Sequence, residues 1–324
     1  MPTLLLAQSD TLSKGKYYKS FPRQLTGRTY LSKKYTDFLL KAADNTQDIK
    51  YRPNNAFNLG VGATYRAFTL NLGFNLGFLD DNRGSRGKTK FLDLQTHVYP
   101  RNWLIDFYGQ FYKGYFLNKK GIAVQDPGSY YLRPDMNVQV IGVSVFRMLQ
   151  PHKLSYRAAF LQTEWQKKSA GSWLLGWEVY AGRVKSDSAF IPSVLSYQFE
   201  HGPIRQISFL EFGPGAGYAY TWVWLQNFFV TASATINGDL SFVSERDGMS
   251  TTKKTNFSPN ITGRAVVGFN SDRWGIGLSW VHNSINLRSE KAGNAYLLNT
   301  GNIRFSIAKR FKPGKRLERV VPDL

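Results

Sequence analysis

The sequence predicts an all-β protein, an antiparallel up-and-down transmembrane β-barrel of about 12 strands, in a range of about 12–14. Three observations carry this. Apolar and polar residues alternate over long stretches, and several of these exceed the ~5–6 residues usual for strands in soluble sheets. The polar face of the alternation is built from Gly, Asn, Ser, Thr and Tyr. Side chains alternate faces along a strand, so a strand between unlike environments must alternate in sequence. A soluble sandwich alternates too, but its wet face is rich in Lys and Glu. The face seen here suits a crowded or wet lumen.

In chain order, a first strand region covers 27–42. Phe57, Leu59, Val61, Ala63 and Tyr65 then interleave with Asn58, Gly60, Gly62 and Thr64. Phe68, Leu70, Leu72, Phe74 and Leu76 alternate with Thr69, Asn71, Gly73 and Asn75. Trp103, Ile105, Phe107 and Phe111 oppose Asp106, Tyr108, Gln110 and Tyr112, and Trp173, Leu175, Trp177 and Val179 oppose Gly176, Glu178 and Tyr180. Phe228, Val230, Ala232, Ala234 and Ile236 oppose Thr231, Ser233, Thr235 and Asn237; Ile303, Phe305 and Ile307 oppose Asn302, Arg304 and Ser306. Segments 102–118, 225–243 and 272–289 exceed the ~9–11 tilted residues that cross a bilayer. Aromatic residues gather near strand ends (Tyr99, Trp103, Trp222, Trp224, Trp274, Phe311), as an interfacial girdle requires.

Tight connections at Tyr65–Ala67, Tyr99–Asn102, Gln150–Lys153, Leu225–Asn227 and Asn270–Arg273 read as periplasmic turns. Longer links at 80–88, 119–133, 166–171 and 244–256 read as outer loops. Up-and-down parity then fails at residue 184. Either 185–205 crosses the membrane once more, or a neighbouring assignment is wrong. A switch of apolar face near Val140 and Ile141 suggests a bulge in strand 136–148.

The 324 residues carry a net charge of +20 and no cysteine, which excludes a disulfide framework, a thiolate metal site and a lipoprotein anchor. The mean hydropathy of −0.34 and the lack of a long apolar run exclude a helical span, but not strands that are apolar on one face. Leu4, Leu5, Leu6, Ala7 and Gln8 look like the last part of a signal peptide; a disordered apolar N-terminus is the other reading. The expected organisation is a leader remnant at 1–7, a basic periplasmic segment at 8–26, the barrel at 27–311 and a basic periplasmic tail at 312–324. The cell outer membrane of a Gram-negative bacterium is the expected location.

Chemistry-bearing motifs are sparse. Gly213-Pro214-Gly215-Ala216-Gly217 lacks dinucleotide spacing and reads as a strand bend. His97, His152, His201 and His282 are scattered without metal-ligand spacing, so neither a metal nor a cofactor is expected. His282 and Ser284 share a strand face, with Glu290 following, a weak catalytic candidate of the kind that barrel-embedded lipid A deacylases carry. Alternation aims Asp93, Asp106, Arg157, Glu178, Arg264 and Arg304 into the lumen, as a mutually paired filling or as a constriction for anionic solutes. Loop cations would meet lipopolysaccharide phosphates, and Lys312, Lys315, Arg316 and Arg319 would touch anionic lipid or a periplasmic or outer-membrane partner protein. The positive charge lies in loops and ends, so nucleic acid is not the expected partner. A soluble basic β protein that binds an anionic polymer is the alternative class.

Tyr51-Arg52-Pro53-Asn54, Asn58-Leu59-Gly60-Val61-Gly62 and Leu70-Asn71-Leu72-Gly73 resemble an uncharacterised Bacteroidota family, domain of unknown function 4421. Ile191-Pro192-Ser193, Gly217-Tyr218-Ala219-Tyr220-Thr221 and Lys309-Arg310-Phe311 are similar to it as well. The resemblance spans roughly 27–311 and implies an exported, outer-membrane barrel-like protein with no catalytic residues to carry over. A structural or accessory component, or a small pore with a charged lumen, is the expected role.

Overall fold

A computed structural model describes residues 17–42, 48–65, 68–76, 83–100, 102–198, 203–288 and 295–314. The chain runs through β1 (Tyr18–Ser20), β2 (Leu25–Lys41), β3 (Ile49–Arg52), β4 (Asn58–Tyr65), β5 (Phe68–Asn75), β6 (Lys90–Asp93), β7 (Thr96–Val98), β8 (Trp103–Leu117) and β9 (Leu132–Met148). It continues through β10 (Glu164–Gln166), β11 (Ala170–Lys185), β12 (Gln206–Trp224), β13 (Phe228–Arg246), β14 (Thr251–Asn270), β15 (Trp274–Arg288) and β16 (Ala295–Phe311). The fold is a closed antiparallel barrel. Its ring is β2-β3-β8-β9-β11-β12-β13-β14-β15-β16, shut by the pairing of β16 with β2 from Ala295↔Lys41 to Phe311↔Leu25.

Ten strands close the ring, and four short ones widen the wall between β2 and β8. β3 and β4 follow one another down β2, pairing first with Phe38–Leu40 and then with Thr26–Ser32. β6 and β7 do the same along β8, and β5 adds to β4. The expected count of about twelve lies between the ten strands of the ring and the fourteen of the whole sheet.

Alternation decides which residues face lipid. Phe228, Val230, Ala232, Ala234, Ile236, Leu240 and Phe242 of β13 point outward, while Phe229, Thr231, Ser233, Thr235, Asn237, Asp239 and Ser241 are buried within. Trp177 and Ile236 are 60% and 59% exposed, so the outer face is an apolar belt that water would not favour. Trp224, Phe228, Trp274 and Phe311 stand exposed where the tight turns lie, and Lys309 Nζ sits 4.8 Å over the Trp274 ring. This matches the expected aromatic girdle, and a long cation at a strand end can reach past the apolar belt.

Two details of the expected path are corrected. Residues 149–169 do not make a hairpin and a spanning strand; they fold back into the barrel, so β11 leaves from the turn end and 166–171 is not an outer loop. That resolves the parity conflict: β11 ends and β12 begins at the same end of the barrel, with Lys185 beside Gln206, and the neighbouring assignment was the error. The bulge is also elsewhere. The β9–β11 register is unbroken across Val140 and Ile141, whereas β8 and β9 slip between Lys113 and Tyr115. There Gly114 takes φ +93, and a Cβ on it would meet Lys88 O at 2.3 Å. What changes at Val140 is the inner layer: Val138 and Val140 belong to an apolar cap, and Ser144 below them to a polar one.

Candidate functional site

The ring of strands encloses a lumen, and its inward side chains form three layers. The middle layer is polar. Asp106 of β8 accepts hydrogen bonds from Arg264 of β14 and from Ser144 Oγ at 3.2 Å, and its other oxygen lies 2.6 Å from His97 Nδ1. β8 and β14 are separated around the ring by β9, β11, β12 and β13, so the Asp106–Arg264 pair bars the lumen. Both residues are buried. A pair in such surroundings holds only when its geometry and extra hydrogen bonds offset desolvation.

Beside this bar stand three further acids. Asn260 Nδ2 reaches Asp239 Oδ2 at 2.6 Å, Glu211 Oε2 at 3.0 Å and Glu178 Oε1 at 3.2 Å, while Asn237 Nδ2 donates to Glu178 Oε2 at 2.7 Å. The glycines of β12 make room for them. A Cβ on Gly215 would lie 1.6 Å from Asn237 Oδ1, and one on Gly213 would lie 2.5 Å from Asp239 Oδ1. So the Gly-Pro-Gly-Ala-Gly run serves the polar layer, and the β12–β13 register is the same on both sides of Pro214. Glu211 and Asp239 were missed in the sequence reading. The outward pair Leu210/Phe212 brackets Glu211, and Asp239 shares the inward parity of Asn237 and Ser241 on β13, which would have revealed both.

At the turn end the lumen is stoppered by 150–166. Tyr156, Ala158, Ala159 and Leu154 are buried there against Tyr99, Phe146, Leu174 and Phe229. The turn Arg157–Leu161 ends at Gln162, whose φ is +55. Polar contacts pin this plug on every side. Arg310 of β16 donates to Gln162 O and Glu164 O, Arg28 of β2 donates to Leu161 O at 3.0 Å, and Tyr156 Oη donates to Ser233 Oγ at 2.6 Å. β1 pairs with β10 as an outer cover, with Ser20 Oγ donating to Glu164 Oε1 at 2.9 Å.

The loop end is closed by apolar packing. Phe190 and Ile191, from the connection after β11, are buried among Phe38, Leu40, Tyr51, Val184, Ile207 and Tyr296. Tyr51 Oη donates to Phe190 O at 2.6 Å, and Arg133 donates to Ala189 O and Ser188 O. A cavity of about 150 Å³ opens outside this cap, lined by Ile49, Lys50, Leu117, Asn118, Lys119 and Leu195. It does not lead through the barrel, because the cap lies beneath it.

The six lumen residues named from sequence therefore do not form one constriction. Asp106 and Arg264 meet. Asp93 takes Lys34 Nζ at 2.8 Å and Tyr112 Oη at 2.6 Å; Glu178 joins the amides; Arg304 lies 4.6 Å over the Tyr30 ring. Arg157 is carried on the plug, 4.0 Å from Glu164, and not on a wall strand. Among the described residues, no His, Asp and Glu side chains are grouped to hold a metal.

His282 and Ser284 do lie on the outer face of β15, as alternation required. His282 Nδ1 is 2.9 Å from Tyr35 Oη, and its ring stacks on Trp280 with centroids 5.5 Å apart. The Tyr35 hydroxyl also accepts from Trp280 Nε1 at 3.1 Å. Among the described residues there is no hydrogen bond between His282 and Ser284, so the nucleophile–base contact of a hydrolase is not formed. Glu290, Lys315, Arg316, Arg319 and the leader at 1–7 lie outside the described residues; Lys312 is exposed just beyond β16.

A membrane-type β-barrel whose lumen is filled by its own chain is the class this arrangement defines. The profile described as Domain of unknown function (DUF4421) matches residues 8–311, and the chain belongs to that family. No curated protein matches the chain. Among solved structures it is similar to the outer membrane protease OmpT from Escherichia coli, at 9% identity over 90% of this chain and 98% of that one, with a TM-score of 0.42. It is similar also to the translocator domain of autotransporter NalP from Neisseria meningitidis, at 8% identity over 95% and 96% of the two chains and a TM-score of 0.37. The P. putida toluene transporter TodX aligns at 9% identity over 94% of this chain and 93% of that one, with a TM-score of 0.28.

Proposed function

We propose that this protein is a sealed barrel of the Gram-negative outer membrane, acting as a structural or accessory component and conducting no solute in its resting form. The single observation that carries the reading is the double closure of the lumen, by 150–166 at one end and by Phe190 and Ile191 at the other. The apolar belt sets the wall in a bilayer, and the strands β9 and β11–β16 are paired with a neighbour on both sides. The end with the tight turns faces the periplasm. The basic residues from Lys312 onward are proposed to meet anionic lipid or a partner protein there. Cell fractionation with a heat-modifiability gel tests this. The protein is expected in the outer-membrane fraction, migrating differently when unboiled; recovery in the aqueous fraction with a single mobility would refute it.

A further inference from the structure

The outer wall at the loop end carries a feature that the sealed lumen does not use. Register places outward residues of β11, β12, β13 and β14 in rows: Arg183 lies beside Ser208, Ser208 beside Ser244, and Ser244 beside Lys253. The next row is Lys185, Gln206, Arg246 and Thr251. Adjacent strands are ~4.8 Å apart and alternate residues ~7 Å apart, so the two rows cover roughly 14 by 7 Å. Arg183, Lys185, Arg246 and Lys253 are all exposed there.

Acidic side chains are missing from these rows. Glu245 lies between them in sequence but is buried on the lumen side. Asp247, in the turn above, accepts from Ser250 Oγ and from the backbone N–H groups of Met249 and Ser250, which hold its carboxyl down at about 2. Among the described residues none of the four cations has an ion-pair partner. Four like charges on so small an area repel one another unless an anion lies between them. Hydroxyl and amide groups of Ser208, Ser244, Gln206 and Thr251 alternate with the charges and add neutral donors.

Directly below, the same strands present Leu210, Phe212, Leu240, Phe242 and Phe257, all exposed, with Phe212 and Phe242 stacked at 6.2 Å. A cationic, donor-rich band above an open apolar face matches a molecule with phosphates at one end and acyl chains at the other. We propose that this band on β11–β14 binds the phosphorylated headgroup of a lipid in the leaflet that surrounds the loop end. The proposal rests on the membrane reading above.

The test uses the full chain folded in a zwitterionic detergent and diphosphoryl lipid A as the probe, with bound lipid counted by native mass spectrometry. Wild-type protein is expected to retain lipid A, to bind the monophosphoryl form more weakly, and to be indifferent to millimolar inorganic phosphate. Combined Arg183→Gln, Lys185→Gln, Arg246→Gln and Lys253→Gln should weaken binding at least about tenfold. Lys119→Gln with Lys120→Gln, on another loop, should leave it unchanged. If the fourfold variant does not fold, Arg183→Gln/Lys185→Gln and Arg246→Gln/Lys253→Gln are tested as separate pairs, each expected to weaken binding by about threefold or more. Wild-type affinity in folded variants overturns the proposal, as does equal loss in the Lys119/Lys120 control. Displacement by inorganic phosphate would reduce the band to a simple anion site and overturn the lipid assignment. Failure of the membrane reading is separately visible, because the wild-type chain would then show no heat-modifiable form.

Discussion

Arg310→Ala is expected to loosen the plug and destabilise the folded barrel by about 3 kcal/mol. Arg310 donates to Gln162 O and Glu164 O on the plug, to Asn270 Oδ1 at the end of β14 and to Ser271 O just after it, and lies 4.4 Å over the Phe21 ring. Removing the guanidinium leaves these acceptors buried without a charged donor, each such bond being worth about 1.5–3 kcal/mol. Asn270 Nδ2 still holds Ala158 O and Glu164 O, so the plug should become mobile while the barrel still folds. Arg310→Lys keeps the charge but loses the fork that serves several acceptors, and should fall between the two. Urea unfolding in lipid vesicles, followed by tryptophan fluorescence, measures the loss. Unchanged stability in Arg310→Ala would mean that the plug is held by its apolar contacts alone.

Asp106→Ala is the second large effect, expected to cost about 3–5 kcal/mol. The cost arises less from the lost attraction than from Arg264, which would be left charged and buried across the lumen. The double variant Asp106→Leu/Arg264→Met should recover most of the loss, because exchanging a whole buried pair for apolar groups is often neutral or stabilising. The same urea titrations, arranged as a double-mutant cycle, give the coupling. Additive single and double losses would show that the two side chains do not depend on one another.

The faces of the wall strands were legible because lipid and lumen differ so strongly. Trp173, Leu175, Trp177 and Val179 could only be outward once Glu178 was inward. The plug was hidden for the opposite reason. From Tyr156 to Leu161 nearly every residue is apolar, with no polar face to give a direction, and a short apolar run reads equally as strand or turn. Its conformation is decided by Arg28, Asn270 and Arg310, which come from distant strands. The same holds for the lumen pairs. Alternation could state that Asp106 and Arg264 point inward, but which inward residues meet depends on the stagger of the whole barrel. The apolar cap misled in another way: Val138 and Val140 lie inside while Ile141, Val143 and Val145 lie outside, which resembles a change of face although the strand runs true.

Closure of the lumen at both ends is the claim on which the rest depends, and recording from planar bilayers tests it most directly. Wild-type protein, shown to be folded by its mobility on an unboiled gel, should give a flat trace, while Arg310→Ala should give intermittent current steps as the plug leaves its seat. Steady, ohmic conductance from the folded wild-type protein would contradict the account, because an ion path would then pass Tyr156, the Asp106–Arg264 bar and Phe190 in turn.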